Sequence, residues 1–135
     1  SGSFGISVFK RTKISETSDQ PYAYESIGLV GQIERYIYTM EEDSDGNLWA
    51  GTQAGDHYRI TWSKTASGNI DIPSSSVRQF TEEKDGIPGL LGNVSKIQDR
   101  IYVSGINGFY YFDKSSDLFI KDTIFSFSKA PDLSA

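Results

Sequence analysis

The 135-residue sequence predicts an all-β fold assembled from repeated small antiparallel sheets, and three observations carry that prediction. The first is composition. Aromatic residues make up 13%, mostly Tyr (8) and Phe (8), beside 13 glycines and few long aliphatic runs, which suits short pleated strands joined by tight turns. The second is the near absence of helical periodicity. The best helical candidate, "YESIGLVGQIERY", carries two closely spaced glycines, each costing about 1 kcal/mol in a helix. The third is a repeat. "GISVFKRT" opens at Gly5, "GDHYRITW" at Gly55 and "GFYYFDKS" at Gly108, a spacing of about 50 residues. Units of that period holding several short strands read as propeller blades, each burying its faces against its neighbours. The expected architecture is a fragment of a β-propeller with two to three antiparallel blades.

Taken in order, Ser1 to Ser3 read as a leftover of an expression vector and are set aside. Residues 4–32 are expected to form a partial blade and a connecting loop, residues 33–93 the first full repeat with its loop, and residues 94–135 a second repeat and the start of the next strand. Runs of β-formers bounded by turn residues place strands at 6–11, 36–41, 48–52, 57–62, 77–81, 94–98, 101–104, 109–113 and 118–121, with "TIFSFS" a further candidate. Asp45-Gly46 fits a two-residue hairpin turn with positive φ angles, and Gln98-Asp99-Arg100 a tighter version of the same reversal. Gly55 and Gly108 precede aromatic strands, where a residue without Cβ suits a sharp re-entry. "EEKDGIPGLLGN" reads as a long loop. Within the repeat, Trp49 aligns with Tyr102, Thr52 with Gly105 and Ala54 with Asn107.

Bulk chemistry excludes several classes. The net charge is -5 and the 13 Lys and Arg are scattered, which disfavours nucleic acid as a partner. The basic run "FKRTK" reads as a solvated strand edge. With no cysteine there are no disulfides and no thiolate zinc sites. No stretch approaches the roughly 20 apolar residues of a membrane helix, so no membrane contact is expected of this segment.

The stretch "EEDSDGNLWAGT", residues 41–52, poses the sharpest choice. Counted from Asp43, an EF-hand would need glycine at its sixth position, yet Leu48 stands there and Ala54 stands where the terminal glutamate belongs. A glycosidase pair needs carboxylates across a cleft, whereas Glu41, Glu42, Asp43 and Asp45 form a local run. The remaining reading is an exposed acidic turn delivering Trp49 to one face and Leu48 and Ala50 to the other. Trp49 and Tyr102 then serve as anchors between blades, each burying about 150–250 Å².

"MEEDSDGNLWAGTQAG" resembles the two-component regulator propeller repeat, through Met40, Asp43, Gly46-Asn47, Leu48-Trp49, Gly51-Thr52 and Gly55. "KDGIPGLLGNVSKI" resembles the family's lead-in to its innermost strand. The second unit departs from the pattern, with Tyr102 for the tryptophan, Ser104-Gly105 for Gly-Thr and a shortened acidic turn before Gly108. The resemblance covers residues 33–119, with 5–12 as a blade remnant. It implies a piece of the periplasmic sensor region of a hybrid two-component histidine kinase, of the kind found in Bacteroides-type bacteria, that detects glycans or their breakdown products. The kinase would lie elsewhere in the parent protein. It further implies the rest of the sensor propeller as a partner, and self-association of a fragment whose blade faces lack neighbours.

The repeat motif itself carries no chemistry, so ligand contacts are expected on loops. Gln53, Asp56 and Asn107 are placed to hydrogen-bond sugar hydroxyls, and Trp62 or Tyr110 to stack on a sugar face. His57 is a lone imidazole without a catalytic arrangement around it. No nucleophile elbow, metalloprotease helix, phosphate loop or dinucleotide fingerprint is present. The reading is a non-catalytic segment with no cofactor and no metal. Its rivals are a propeller lyase or hydrolase piece using Asp43, Asp45 or His57, and a pure protein-interaction propeller.

Overall fold

A computed structural model describes residues 5–123 apart from 18, 32 and 34. The architecture is all-β, with three antiparallel sheets of two, four and four strands, as expected of a propeller fragment. Sheet 1 pairs β1 (Ile6–Lys13) with β2 (Tyr22–Val30). Sheet 2 is the meander β3 (Ile37–Glu42), β4 (Leu48–Thr52), β5 (His57–Thr61) and β6 (Ser76–Phe80). Sheet 3 repeats that meander with β7 (Val94–Ile97), β8 (Arg100–Gly105), β9 (Gly108–Asp113) and β10 (Leu118–Lys121).

Period-2 alternation decides which face each side chain joins. In β9, Gly108, Tyr110 and Phe112 are buried, while Phe109, Tyr111 and Asp113 between them are half-buried. In sheet 2, Leu48, Ala50, Tyr58 and Ile60 face sheet 1, while Trp49 faces sheet 3. The core therefore lies in two seams. Val8, Val30, Ile33, Tyr58 and Ile60 fill the seam between sheets 1 and 2. Trp49, Phe80, Leu90, Val94, Val103 and Phe112 are among those filling the seam between sheets 2 and 3.

Four features differ from the sequence expectation. The β3–β4 connection is not a two-residue turn. Asp43 N–H donates to the Asn47 carbonyl at 2.9 Å, Gly46 N–H donates to the Asp43 carbonyl at 3.1 Å, and only Gly46 has positive φ, at 86°. This is a three-residue loop closed by a left-handed glycine. The two-residue turn with both φ positive falls instead at Gln98 (50°) and Asp99 (66°).

The second difference is β2, a nine-residue strand where no strand was expected. Its glycine is accommodated because the register shifts there, Val8 pairing with Gly28 and Phe9 with Ser26, so that Ile27 is the extra residue of a bulge. Third, the loop after β6 opens with a short helix, α1 (Glu82–Asp85). Thr81 caps it, accepting from Lys84 N–H at 3.0 Å, and Gly86 ends it in the left-handed conformation at φ 66°.

Fourth, the repeats slip by one residue at the second hairpin. Trp49 pairs with Arg59 and Tyr102 with Tyr111, so the loop holding Gly108 is one residue shorter than the loop holding Gly55. The expected strand "TIFSFS" lies outside the described residues beyond Thr123.

Candidate functional site

The acidic hairpin is organised by one carboxylate. Asp43 Oδ1 accepts from the N–H groups of Asp45 (3.0 Å) and Asn47 (2.9 Å). Its Oδ2 accepts from Asn47 Nδ2 (3.1 Å) and Trp49 Nε1 (2.9 Å). Burial works against the charged form, yet the bonds from Trp49, Asn47 and Asp45 outweigh it and hold the carboxyl below its ordinary value. Trp49 is 1% exposed, stacked on Phe80 at 5.1 Å and tilted against Phe112 of the next sheet at 5.2 Å. The motif's first acid thus orients its indole, which knits two sheets together.

The motif glycines have an equally physical role. A Cβ on Gly51 would lie 2.1 Å from the Gly92 carbonyl oxygen, and one on Gly55, at φ 100°, would lie 2.4 Å from that of Leu90. Only glycine lets the connector between sheets run this close. The connector is also tied by Thr39, whose hydroxyl donates to the Gly92 carbonyl at 2.7 Å and accepts from Val94 N–H at 3.0 Å. Tyr102 holds in sheet 3 the pairing position of Trp49 but faces away from sheet 2, its hydroxyl donating to Asp122 Oδ2 at 2.8 Å. Thr52 and Gly108 are buried at the far end of the two hairpins.

A cleft of about 210 Å³ opens at the turn end of the seam between sheets 2 and 3. Asp43, Asp45 and Asn47 line it from the β3–β4 turn, Asp99 from the β7–β8 turn, and Lys114 and Asp117 from the β9–β10 turn. Arg59 forms its back wall, with its guanidinium carbon 5.4–5.8 Å from the ring centroids of Trp49, Phe80 and Phe112. Burial and the neighbouring Arg78 push the Arg59 pKa down, and Asp117 and Asp43 oppose this. Asp117 bridges the sheets, 2.6 Å from Arg78 Nη1 and 4.0 Å from Arg59 Nη1. Lys114 reaches back to Asp45 at 2.9 Å.

The ligand residues read from the sequence lie elsewhere, and none lines this cleft. Gln53 is exposed, its N–H donating to the Tyr36 carbonyl at 3.0 Å. Asp56 accepts from Gln79 Nε2 at 2.9 Å, and Asn107 accepts from the Tyr110 hydroxyl at 2.9 Å. Tyr110 itself is buried in the seam, so its ring offers no open face for stacking. Trp62 is half-buried against the seam between sheets 1 and 2, remote in packing from the other four. The loops holding Gln53, Asp56 and Asn107 share one end of the sheets, where the connector packs between them and Ile106 N–H donates to the Pro88 carbonyl at 2.9 Å.

Sequence reasoning missed the cleft because its wall comes from residues read as solvated. Residues 114–117 stand in the sequence only as the gap between the strands expected at 109–113 and 118–121, yet they supply Lys114 and Asp117. Arg59, a cation held between Tyr58 and Ile60 in mid-strand, was the available signal. His57 is 0% exposed, with Nδ1 3.0 Å from the Gly55 carbonyl and Nε2 3.2 Å from that of Asn93. Among the described residues, no group of three or more His, Cys, Asp or Glu could hold a metal ion, and no helix is long and apolar enough to cross a membrane.

Side-by-side four-stranded meanders with an indole in the seam define a propeller segment. Within it, residues 31–54 match the family model of the two component regulator propeller, which covers the β3–β4 hairpin just described. No curated protein and no solved structure matches the chain.

Proposed function

We propose that this chain is a non-catalytic segment of the extracytoplasmic, periplasmic sensor propeller of a hybrid two-component histidine kinase, and that the parent protein responds to glycans or their breakdown products. The observation that carries the reading is the β3–β4 hairpin. It matches the regulator repeat, and its polar motif residues are spent on packing. Four bonds engage both oxygens of the Asp43 carboxylate in the turn, Asp45 is held by Lys114, and His57 is enclosed between two carbonyls. That arrangement favours the sensor over a lyase or hydrolase built on those three residues. Binding falls to the loops that carry Gln53, Asp56 and Asn107, and signal transfer to a shift in how blades pack.

Titration of the isotope-labelled chain with a panel of neutral and acidic oligosaccharides tests this reading. Saturable shifts centred on the amides of Gln53, Asp56 and Asn107 are expected. A panel that moves nothing at millimolar concentration refutes glycan sensing by this segment and leaves the pure interaction propeller.

A further inference from the structure

We propose that the cleft between sheets 2 and 3 is a binding site for a small zwitterion, a molecule carrying a carboxylate and an ammonium a few carbons apart, as a short amino acid does. Arg59 at its back takes the carboxylate, and Asp99 at its mouth takes the ammonium. The site is separate from the loops of Gln53, Asp56 and Asn107 and does not rest on the glycan reading.

The Arg59 side chain is 20% exposed, so its charge is largely withdrawn from water. A guanidinium in that position is ordinarily held by a carboxylate through paired N–H bonds. Here its contact with Asp117 Oδ1 is 4.0 Å long, beyond hydrogen-bond reach, while the other oxygen of Asp117 lies 2.6 Å from Arg78 Nη1. Arg59 Nε is buried with no hydrogen-bond partner among the described residues. The rings of Trp49, Phe80 and Phe112 behind it return only part of what desolvation costs. Burial and Arg78 both work against the charged form of Arg59. A carboxylate entering the cleft relieves both.

The acids decide the rest of the ligand. Asp43, Asp45, Asp99 and Asp117 line the cleft against Arg59 and Lys114, so a simple anion is repelled at the mouth and a simple cation meets the guanidinium at the back. Three of the four acids are already engaged, Asp43 by its own turn, Asp45 by Lys114 and Asp117 by Arg78. Asp99 is exposed, and its carboxylate has no side-chain partner among the described residues. One molecule with both charges, set apart, answers Arg59 and Asp99 together. Ile101 and Phe112 supply apolar wall for the carbons between. The volume of about 210 Å³ is below the roughly 300–1,000 Å³ of drug-sized pockets, which limits the occupant to a few carbons. Because Arg59 belongs to sheet 2 and Asp99 to sheet 3, the bound molecule ties the two sheets across their seam.

The probe is γ-aminobutyrate, added to the isotope-labelled chain, with butyrate and butylamine as counterparts that each lack one charge. Saturable shifts centred on the amides of Asn47, Asp99 and Lys114 are expected. Butylamine should bind at least about tenfold more weakly, through loss of the guanidinium contact, and butyrate at least about threefold, through loss of an exposed ion pair. Arg59→Met should weaken γ-aminobutyrate at least about tenfold. Asp99→Asn keeps a residue type that tolerates the φ of 66° at this turn. It should weaken γ-aminobutyrate about threefold and leave butyrate no weaker, a reversal that a merely structural role would not give. Asp99→Asn and the two half-probes keep the test decisive should Arg59→Met unfold. No saturation by about 10 mM overturns the proposal. So do shifts at Gln53, Asp56 and Asn107 instead, or butyrate binding as tightly as γ-aminobutyrate. Galacturonate displacing γ-aminobutyrate from the same amides at equal affinity also overturns it, since the ammonium would then be idle. The glycan reading fails separately, on silence of the sugar panel.

Discussion

Gly51 and Gly92 interlock backbone to backbone. A Cβ built on Gly51 falls 2.1 Å from the Gly92 carbonyl oxygen, and one built on Gly92 falls 2.0 Å from the Thr52 carbonyl oxygen. The obstacle in each case is main chain, which cannot swing aside as a side chain can. Gly51→Ala and Gly92→Ala are each expected to destabilise the chain by about 3 kcal/mol, the upper range for overpacking. Gly31→Ala, with nothing within 4 Å, should be silent. Urea midpoints for the three variants check this, and a silent Gly51→Ala would mean that the connector rides looser than the geometry shows.

Asp43 makes the second prediction. Asp43→Ala strands the buried Trp49 Nε1–H and two turn N–H groups, so a loss of about 2–4 kcal/mol is expected from the unpaired donors. Asp43→Asn should cost less, since one amide oxygen can still accept while its NH₂ opposes the indole donor. Because the folded pKa lies below the ordinary 3.8, this stabilisation is present above that value and lost as pH falls through the folded pKa. The acid limb of a stability–pH curve should flatten in Asp43→Asn.

These residues also show what sequence could and could not deliver. Trp49, Gly51 and Gly55 were legible because their chemistry is local, an indole in an alternating strand and glycines at fixed offsets. The β4 and β10 bounds follow from runs of β-formers closed on both sides by turn residues. β2 was not legible, because its bulge at Ile27 breaks the alternation and its strand character comes from pairing with β1. The β3–β4 loop was misjudged for a related reason. Asp-Gly suits a two-residue turn, but Asp43 draws the N–H groups of Asp45 and Asn47 onto its carboxylate and widens the loop. The cleft joins turns some 70 residues apart, as in the Lys114–Asp45 pair, which local pattern does not encode.

Arg59 tests whether charge or bulk matters in the cleft wall. Its Nε is buried without a hydrogen-bond partner, and Asp117 is satisfied by Arg78 at 2.6 Å. Desolvation therefore offsets most of what the three aromatic faces return, which for cation–π contacts is about 0.5–2 kcal/mol. Arg59→Met should leave stability within about 1 kcal/mol of the parent, while Arg59→Ala should lose about 2–3 kcal/mol through the emptied space between Trp49 and Phe112. Equal losses in both variants, read by thermal unfolding, would show that the guanidinium charge is what the site needs.

His57 supplies the pH dependence on the neutral side. A neutral imidazole can donate to only one of the two carbonyls that flank it, and a second proton would satisfy both. Burial opposes that proton more strongly than the Asn93 and Gly55 carbonyls favour it, so the folded pKa lies below 6.5. The unfolded chain thus binds the proton more readily, and stability present above 6.5 is lost as pH falls toward the folded value, by at most about 1.4 kcal/mol per pH unit. His57→Gln keeps one donor and cannot titrate, so its stability should be flat between pH 7 and pH 5 where the parent's declines. A parent that grows more stable over the same range would reverse the sign and show that the paired carbonyls, not burial, control the ring.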